Sequence, residues 1–400
     1  VLMSERMAEP AHGSSRARTT GRRIGLFLLT VLFAVVMAFG LLEVSLRVGA
    51  RYLPPNIANA VLDRFNDLAP DGIYFPDEAP FLRFMVPNHE TELFCNGYTW
   101  GHKTDEWGFR NAPDTPKDIL LVGDSMIYGR GVEYEQTAGA LLRTRYGHPA
   151  YNMSREVDTL YHSYISLRLF VDRFKPKQVI LFVFVNDPHE TFYFRPGPAL
   201  YQMPELHTFD YQAMWERMRS RGRNPWRSDW TMRIYTRRLY SALKGPGMPP
   251  IEIFPAGDQG APAPVPYWVH AVMRPDVFAA VHSYYRVVIG NLTRFLLERR
   301  VELRLVYLDA RDAVPGLDAV NDKLVDMVRG LCAEHRLVCD TTHSEFAGCK
   351  DCYLAGDGHY SVEGNRRLAK WLDGFLRRPA SGPAAVSQQT GGVAGGDSTP

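Results

Sequence analysis

The chain has 400 residues, a formal net charge of +2, and 46% hydrophobic and 12% aromatic residues. This length suits one large α/β domain with attached segments, and the apolar content is sufficient for a sizeable core. The balanced charge gives no indication of nucleic-acid binding, so that class of function is set aside.

The N-terminal region predicts a membrane anchor. Residues 24–42 carry no charge, and a helix of that length rises about 28 Å, close to the thickness of a bilayer's hydrocarbon core. We predict an uncleaved span over residues 24–47; a cleavable signal peptide ending near Ala38 and Gly40, or a buried helix, are the alternatives. Basic residues before the span predict that residues 1–23 form a disordered cytoplasmic tail and that the remainder lies outside, although Arg47 and Arg51 on the far side weaken this orientation. The basic residues are Arg6, Arg16, Arg18, Arg22 and Arg23.

The rest of the chain divides by composition. Residues 48–117 are rich in proline and aromatic residues and are predicted to be an irregular leader. Residues 118–378 alternate apolar runs with amphipathic stretches, which is typical of a parallel α/β domain. Residues 196–270 interrupt this alternation as an insertion, in which helices are predicted near 209–220 and 228–244. Residues 379–400 are predicted to be a disordered tail.

The apolar runs predict five strands, and a helix is expected after each. The fold class is therefore α/β, a doubly wound, mainly parallel five-stranded sheet in three layers, with ligands expected at the carboxyl ends of the strands. The predicted strands are 119–122, 150–153, 178–185, 302–308 and 336–339. The predicted helices are 134–146, 159–174, 276–299, 317–335 and one after Ser361.

Polar residues follow these strands at four places. Gly123-Asp124-Ser125 follows the first strand, where a serine at a strand-to-helix turn could act as a nucleophile or, with Asp124, only cap a helix. The segment YNMSREVDT, residues 151–159, follows the second, and Asn186 follows the third as an amide donor or a turn residue. Asp357 and His359 precede the last helix, where they could form an orienting carboxylate and a base, or lie on the surface.

Four of the five cysteines cluster just before this last segment: Cys332, Cys339, Cys349 and Cys352, with Cys95 apart. Disulfides are the expected state in an exported domain, and four cysteines allow three pairings. Zinc binding and reduced thiols are the alternatives, and only Cys349 and Cys352 have the C-x-x-C spacing of a zinc ligand pair.

The order of these motifs resembles the GDSL/SGNH hydrolases, over most of residues 104–375. GDS at 123–125, FVND at 184–187 and DGHYSVEGN at 357–365 carry the resemblance, which is closest to the membrane-anchored branch because of LLEVSLR (41–47) and EWGFR (106–110). It implies Ser125 as the nucleophile, His359 as the base and Asp357 as its orienting partner. It also implies oxyanion donors at Ser125, Asn186 and Val157, with Val157 standing where relatives have glycine.

The implied reaction is acyl-ester hydrolysis through a Ser125 acyl-enzyme, without cofactor or metal. The expected substrate is an acylated glycan or lipid of the cell envelope, and the expected location is the inner (plasma) membrane, single-pass, with the domain periplasmic and envelope-biosynthesis proteins as possible partners. An O-acyltransferase of polysaccharide modification and a non-catalytic glycan-binding scaffold remain alternatives. The aromatic and arginine-rich residues 226–240 could bind an anionic ligand or pack as an amphipathic helix.

Overall fold

The computed structural model describes residues 14–49, 52–53, 58–59, 62, 72–75, 84–156, 158–188, 211–221, 270–309, 311 and 317–379. Its strands are β1 (Glu90–Cys95), β2 (Tyr98–Lys103), β3 (Ile119–Val122), β4 (Ala150–Asn152), β5 (Gln178–Val183), β6 (Glu302–Tyr307) and β7 (Val338–Thr341). Its α-helices are α1 (Ser14–Gly49), α2 (Ser125–Tyr128), α3 (Ala138–Tyr146), α4 (Leu160–Phe174), α5 (Tyr211–Arg221), α6 (His270–Met273), α7 (Pro275–Glu298), α8 (Asp318–His335), α9 (His343–Phe346) and α10 (Val362–Leu376).

A five-stranded parallel sheet with the order β4-β3-β5-β6-β7 forms the centre of the molecule. The chain steps from β3 outward to β4 and then crosses back to β5 on the other side of β3. The carboxyl end of β3 is therefore the point where the direction of strand order reverses, the place at which open α/β sheets bind ligands. The predicted fold class is confirmed.

Helices cover both faces of the sheet, which explains why consecutive residues of its strands are mostly apolar. Every residue of β3, β4 and β5 is buried. Buried residues of α4, α7 and α8 pack against one face, and those of α3 and α10 pack against the other. Burial on both faces removes the alternation that a half-exposed strand would show, as the sequence pattern predicted.

Helix α8 ends at His335, as predicted, but β7 begins two residues later in the chain than predicted. Arg336 ends α8 in the left-handed conformation, with φ of 55°. This cap and the turn after it use residues 336–337, so the strand runs from Val338 to Thr341 instead of over 336–339. The third strand likewise ends at Val183, because residues after Phe184 form a turn.

The predicted irregular leader contains regular structure, which corrects that expectation. Strands β1 and β2 pair antiparallel, from Glu90 with Lys103 to Cys95 with Tyr98. The two residues between them, Asn96 and Gly97, have φ of 51° and 91°. Asn-Gly at two consecutive positive-φ positions is the strongest short sequence signal for a hairpin, and it was present in the sequence.

Helix α1 contains the predicted span, but it begins at Ser14, so residues 14–23 are helical and not disordered as predicted. Its stretch Arg22–Leu46 has 25 residues, and the most apolar 18 consecutive residues of it have a mean hydropathy of 2.7 and are not buried. It is the one helix among the described residues that is long and apolar enough to cross a membrane, a property that a signal sequence would share. Its apolar side chains are largely exposed to the surroundings, as a helix solvated by lipid requires.

Several expectations fall outside the described residues: residues 1–13, the helix near 228–244, residues 226–240, and the C-terminal tail from residue 380 onward. Within the insertion, α5 is described, and its Trp215 stacks on Trp107 at 5.7 Å between ring centroids.

Of the clustered cysteines, Cys349 and Cys352 form a disulfide, whereas Cys332 and Cys339 are thiols. No group of side chains suited to a metal ion occurs in the described part of the chain.

Two glycines of α10 test how closely this helix packs. A Cβ atom at Gly364 would lie 2.1 Å from the Cys352 carbonyl oxygen, whereas one at Gly374 would meet nothing within 4 Å. We expect Gly364→Ala to lower the free energy of unfolding by about 1–3 kcal/mol through overpacking. The matched variant Gly374→Ala should raise it by about 0.5–1 kcal/mol, since alanine favours the helix. Chemical denaturation measures both, and equal effects of the two variants would contradict this account of the packing.

Candidate active site

Ser125 lies at the carboxyl end of β3, where the strand order reverses. Strand β3 ends at Val122, and Ser125 begins the short helix α2 after the extended residue Asp124. The Asp124 carboxylate accepts a hydrogen bond of 3.0 Å from the Met126 N–H and caps this helix. Gly129 ends it in the left-handed conformation, with φ of 85°. The serine is thus held at a rigid turn, with its side chain at the edge of the sheet.

His359 and Asp357 reach Ser125 from a loop that precedes α10. The Ser125 Oγ and the His359 Nε2 are 2.7 Å apart. The other ring nitrogen, Nδ1, contacts the Asp357 Oδ1 in a short hydrogen bond. Residues separated by 234 positions in the sequence therefore form one hydrogen-bonded line of hydroxyl, imidazole and carboxylate.

The loop holding His359 is closed by its own backbone. The Leu354 N–H donates to the His359 carbonyl at 2.7 Å, and the Ser361 N–H donates to the Cys352 carbonyl at 2.9 Å. Ser361 then caps α10 through its hydroxyl. The disulfide between Cys349 and Cys352 lies directly before this loop. The disulfide therefore holds one end of the segment that carries His359, and the capped start of α10 holds the other.

The carboxyl group of Asp357 is buried yet ionised. Burial by itself would raise its pKa, but the hydrogen bond with His359, the charges of His359 and Arg130, and a hydrogen bond from Asn96 lower the pKa to about 2. An ionised Asp357 accepts the Nδ1–H of His359, which leaves Nε2 free to accept the Ser125 proton; we assign this tautomer from the hydrogen-bond partners.

Asp124, next to Ser125, has a pKa that is shifted in the opposite direction from that of Asp357. Its side chain is buried, and its Oδ2 atom has no hydrogen-bond partner among the described residues. Burial raises its pKa to about 7, against the hydrogen bond from Met126, and the nearby negative charges of Glu156 and Asp158 act in the same direction as burial. Capping of α2 therefore does not need a fully ionised carboxylate at neutral pH.

A buried ion pair connects the loop after β4 with residues 123–131, named the nucleophile turn after the predicted role of Ser125. The Arg130 guanidinium contacts both carboxylate oxygens of Glu156, at 2.8–3.1 Å. Within the same loop, Arg155 and Asp158 form a second pair at 3.0 Å, with both side chains only 1% exposed. Charges buried this deeply are stable only when paired and hydrogen-bonded, so these pairs hold the loop in one arrangement.

Arg110, the last residue of the EWGFR motif, supports the other side of the turn. Its guanidinium donates to the carbonyls of Gly129 at 2.8 Å, and of Gly101 and Val132 at 2.7 Å each. Gly101 lies in β2 and Val132 lies beyond the nucleophile turn, so one side chain joins the hairpin to that turn. The last residue of the EWGFR motif therefore connects β2 with the nucleophile turn.

The expected oxyanion donors have different outcomes. Ser125 begins a helix, where backbone N–H groups have no intrahelical acceptor. Asn186 lies in the turn after β5, the strand adjacent to β3. Both Asn186 and Ser125 therefore lie at the carboxyl ends of neighbouring parallel strands. Val157 lies outside the described residues, between the described residues Glu156 and Asp158. The assignment of all three as oxyanion donors remains a prediction.

Two asparagines at the site were not anticipated. Asn96, in the hairpin turn, donates a hydrogen bond of 2.7 Å from Nδ2 to the Asp357 Oδ2. Asn152, at the end of β4, donates from Nδ2 to the Ile127 carbonyl at 2.8 Å and so joins β4 to α2. The Asn-Gly pair could have predicted the turn at Asn96, but nothing in the sequence connects that turn with Asp357.

Several solved structures are similar to this chain. TesA has a TM-score of 0.36 at 13% identity, over 65% of this chain and 97% of that one. A lipase/acylhydrolase from Enterococcus faecalis has a TM-score of 0.35 at 14% identity, over 65% and 95%. A member of the lipolytic protein G-D-S-L family from Veillonella parvula DSM 2008 has a TM-score of 0.34 at 12% identity, over 65% and 98%. No protein-family model and no curated protein sequence matches the chain. The roles of the site residues therefore depend on the geometry of this chain.

Replacing Arg110 by lysine tests its bridging contacts. A single ammonium cannot reach the carbonyls of Gly101, Gly129 and Val132 together, so buried acceptors lose their donors. We expect Arg110→Lys to lower the free energy of unfolding by about 2–4 kcal/mol, as measured by chemical denaturation. Arg145→Lys, an exchange at an exposed residue of α3, should change it by less than about 0.5 kcal/mol. A similar small change for both variants would show that the three contacts contribute little.

The Asp124 carboxyl predicts a specific pH dependence. The pKa of Asp124 in the folded chain is raised to about 7, so between about pH 4 and pH 7 the unfolded chain loses this proton while the folded chain keeps it. The wild type should therefore lose stability relative to Asp124→Asn as the pH rises through this window. Chemical denaturation of both proteins at pH 4.5 and pH 8 measures the difference. An unchanged difference between the two pH values would show that the carboxyl ionises normally.

Proposed function

We propose that this chain is a serine hydrolase that cleaves acyl esters, with Ser125 as nucleophile, His359 as general base and acid, and Asp357 as the carboxylate that orients His359. The observation that carries the proposal is the continuous hydrogen-bonded line from the Ser125 Oγ, 2.7 Å from the His359 Nε2, to the buried Asp357 carboxylate. An imidazole held between a hydroxyl and an ionised carboxylate is the arrangement that makes a serine hydroxyl nucleophilic at neutral pH.

Each step of the reaction has a group to perform it. His359 takes the Ser125 proton on Nε2 as Oγ bonds to the acyl carbon, and the carbonyl electron pair moves to oxygen. The Ser125 N–H and the Asn186 amide are proposed to donate to that oxyanion. The intermediate collapses, the ester C–O bond breaks, and the imidazolium returns its proton to the departing alcohol. Water, deprotonated by His359, then releases the acid and restores Ser125.

The positive charge that develops on the imidazole of His359 also has a counterpart. When His359 becomes an imidazolium, the Asp357 carboxylate next to Nδ1 stabilises it. Since the pKa of Asp357 is lowered to about 2, this carboxylate stays charged throughout the pH range in which an imidazole base is active. Proton transfer to Asp357 is therefore not part of the cycle.

The proposed location follows from α1. We propose that residues 24–47 cross the inner (plasma) membrane once, with the basic N-terminal residues on the cytoplasmic side and the domain in the periplasm. The length and mean hydropathy of Arg22–Leu46 support a span, and the disulfide between Cys349 and Cys352 is compatible with an oxidising compartment. An enzyme held at that surface would meet acylated glycans or lipids of the envelope, the substrate class that we propose.

Labelling with a fluorophosphonate probe tests the proposed nucleophile. We expect the full-length wild type in detergent to be labelled and to hydrolyse p-nitrophenyl acetate. Ser125→Ala should abolish labelling and lower kcat by at least about a thousandfold, because the acyl-enzyme cannot form. The matched exchange Ser220→Ala, at an exposed residue of α5, should leave both unchanged.

Two results would contradict the hydrolase. A folded, unlabelled wild type would favour the non-catalytic scaffold. If labelling occurs but a sugar or polyol added to the reaction receives the acyl group in preference to water, the protein is an acyltransferase. Separation of the products into free acid and acylated acceptor measures this directly.

A further inference from the structure

The turn between β1 and β2 places an amide against the carboxylate of the proposed triad. Asn96 donates from Nδ2 to the Asp357 Oδ2 at 2.7 Å, across a sequence separation of 261 residues. The His359 ring uses the other oxygen, Oδ1. Each of the two carboxylate oxygens therefore has its own partner, and together these partners restrict rotation of the carboxylate.

The orientation of the Asn96 amide is itself determined by a neighbour. Asn59 donates from Nδ2 to the Asn96 Oδ1 at 2.6 Å, and its own Oδ1 accepts the Asn96 backbone N–H at 2.8 Å. Because the Asn96 Oδ1 already accepts a hydrogen bond from Asn59, the NH2 group of Asn96 is the end that faces Asp357. The amide is thus presented to the carboxylate as a donor.

The hairpin is also attached to the rest of the site, so that the turn has a defined position. In β2, the Gly101 carbonyl accepts from Arg110 at 2.7 Å, and the Gly101 N–H donates to the Glu133 carboxylate at 3.1 Å. The Tyr98 hydroxyl donates to the Ala355 carbonyl at 3.0 Å, two residues before Asp357. These contacts come from three different segments, and all hold the turn over the Asp357 loop.

We propose that Asn96 is a positioning residue for the proposed reaction: it holds the Asp357 carboxylate so that Oδ1 faces His359, without contacting the substrate itself. This inference rests on the proposed function, because it assigns Asn96 a role through Asp357 and His359. The hairpin, which lies between α1 and the sheet in the chain, thereby supplies a residue that positions the proposed triad.

The pH dependence of the reaction distinguishes positioning from mere support of the fold. The charged or titratable groups that act on Asp357 are His359, on the same loop, and Arg130, from the nucleophile turn. Without the hydrogen bond from Asn96, the Asp357 carboxylate keeps more of its negative charge. It then stabilises the protonated form of His359 more strongly. The acidic limb of kcat/KM should then move to higher pH, because the base becomes free only at higher pH.

Two substitutions at Asn96 suit its positive φ of 51°. Asn96→Gly removes the amide at a backbone conformation that glycine adopts readily. Asn96→Asp keeps the size of the side chain and an acceptor for Asn59, but it replaces the donor to Asp357 by a second carboxylate. With p-nitrophenyl acetate and full-length protein in detergent, we expect kcat to fall about ten- to a hundredfold, with Asn96→Asp at least as impaired as Asn96→Gly and with KM changed by less than about threefold.

Asn88 provides the matched control. It is an exposed asparagine in the same segment, also with φ of 51°, and its contact with the rest of the chain is a backbone hydrogen bond to the Asp105 carbonyl. Asn88→Gly and Asn88→Asp make the same chemical changes in the same part of the fold. Both should retain the kcat and the pH profile of the wild type.

The outcomes separate the two proposals. Wild-type kcat and pH profile in both Asn96 variants, together with an inactive Ser125→Ala, would overturn the role of Asn96 and leave the hydrolase intact. A loss at Asn96 that the Asn88 variants share, or that occurs without any shift of the acidic limb, would also overturn it, since support of the fold would then suffice. If Asn96→Asp fails to fold, Asn96→Gly decides alone. Full activity in Ser125→Ala would instead refute the proposed function.

Discussion

A carboxylate that is both buried and ionised is the constraint on which this site depends. Burial disfavours the charged form of an acid, and the chain shows both outcomes a short distance apart in the fold. Asp124 has one N–H donor and nearby negative charges, and its pKa is raised to about 7. Asp357 has His359, Arg130 and Asn96 around it, and its pKa is lowered to about 2. The difference lies in the partners, because both side chains are buried.

Those partners come from widely separated parts of the chain, which explains the organisation around the sheet edge. Arg130 follows the nucleophile and is paired with Glu156 of the next loop. Arg110 joins the hairpin to the nucleophile turn through three carbonyls. The segment before the sheet is therefore part of the site. If α1 is a membrane anchor, the same segment also connects the membrane to the Asp357 loop.

The sequence by itself determined the class of fold, and it predicted Ser125, His359 and Asp357 as candidate site residues. Short continuous apolar runs are typical of strands covered on both faces, so β3, β5 and β6 could be located to within two residues. Serine after the first strand and Asp-x-His before the last helix are local patterns at positions where parallel strands and their loops expose side chains. The Asn-Gly turn is an equally local pattern, although the proline-rich composition around it predicts irregular structure.

Only the tertiary structure decided which distant side chains meet. That Asn96 contacts Asp357 and that Arg110 joins β2 to the nucleophile turn are consequences of packing between segments. No periodicity or spacing encodes such contacts, because the free energy of a hydrogen bond depends on the approach of two groups in space and not on their separation along the chain. The ionisation state of each buried acid follows from the same contacts, and so it too could be known only from the folded chain.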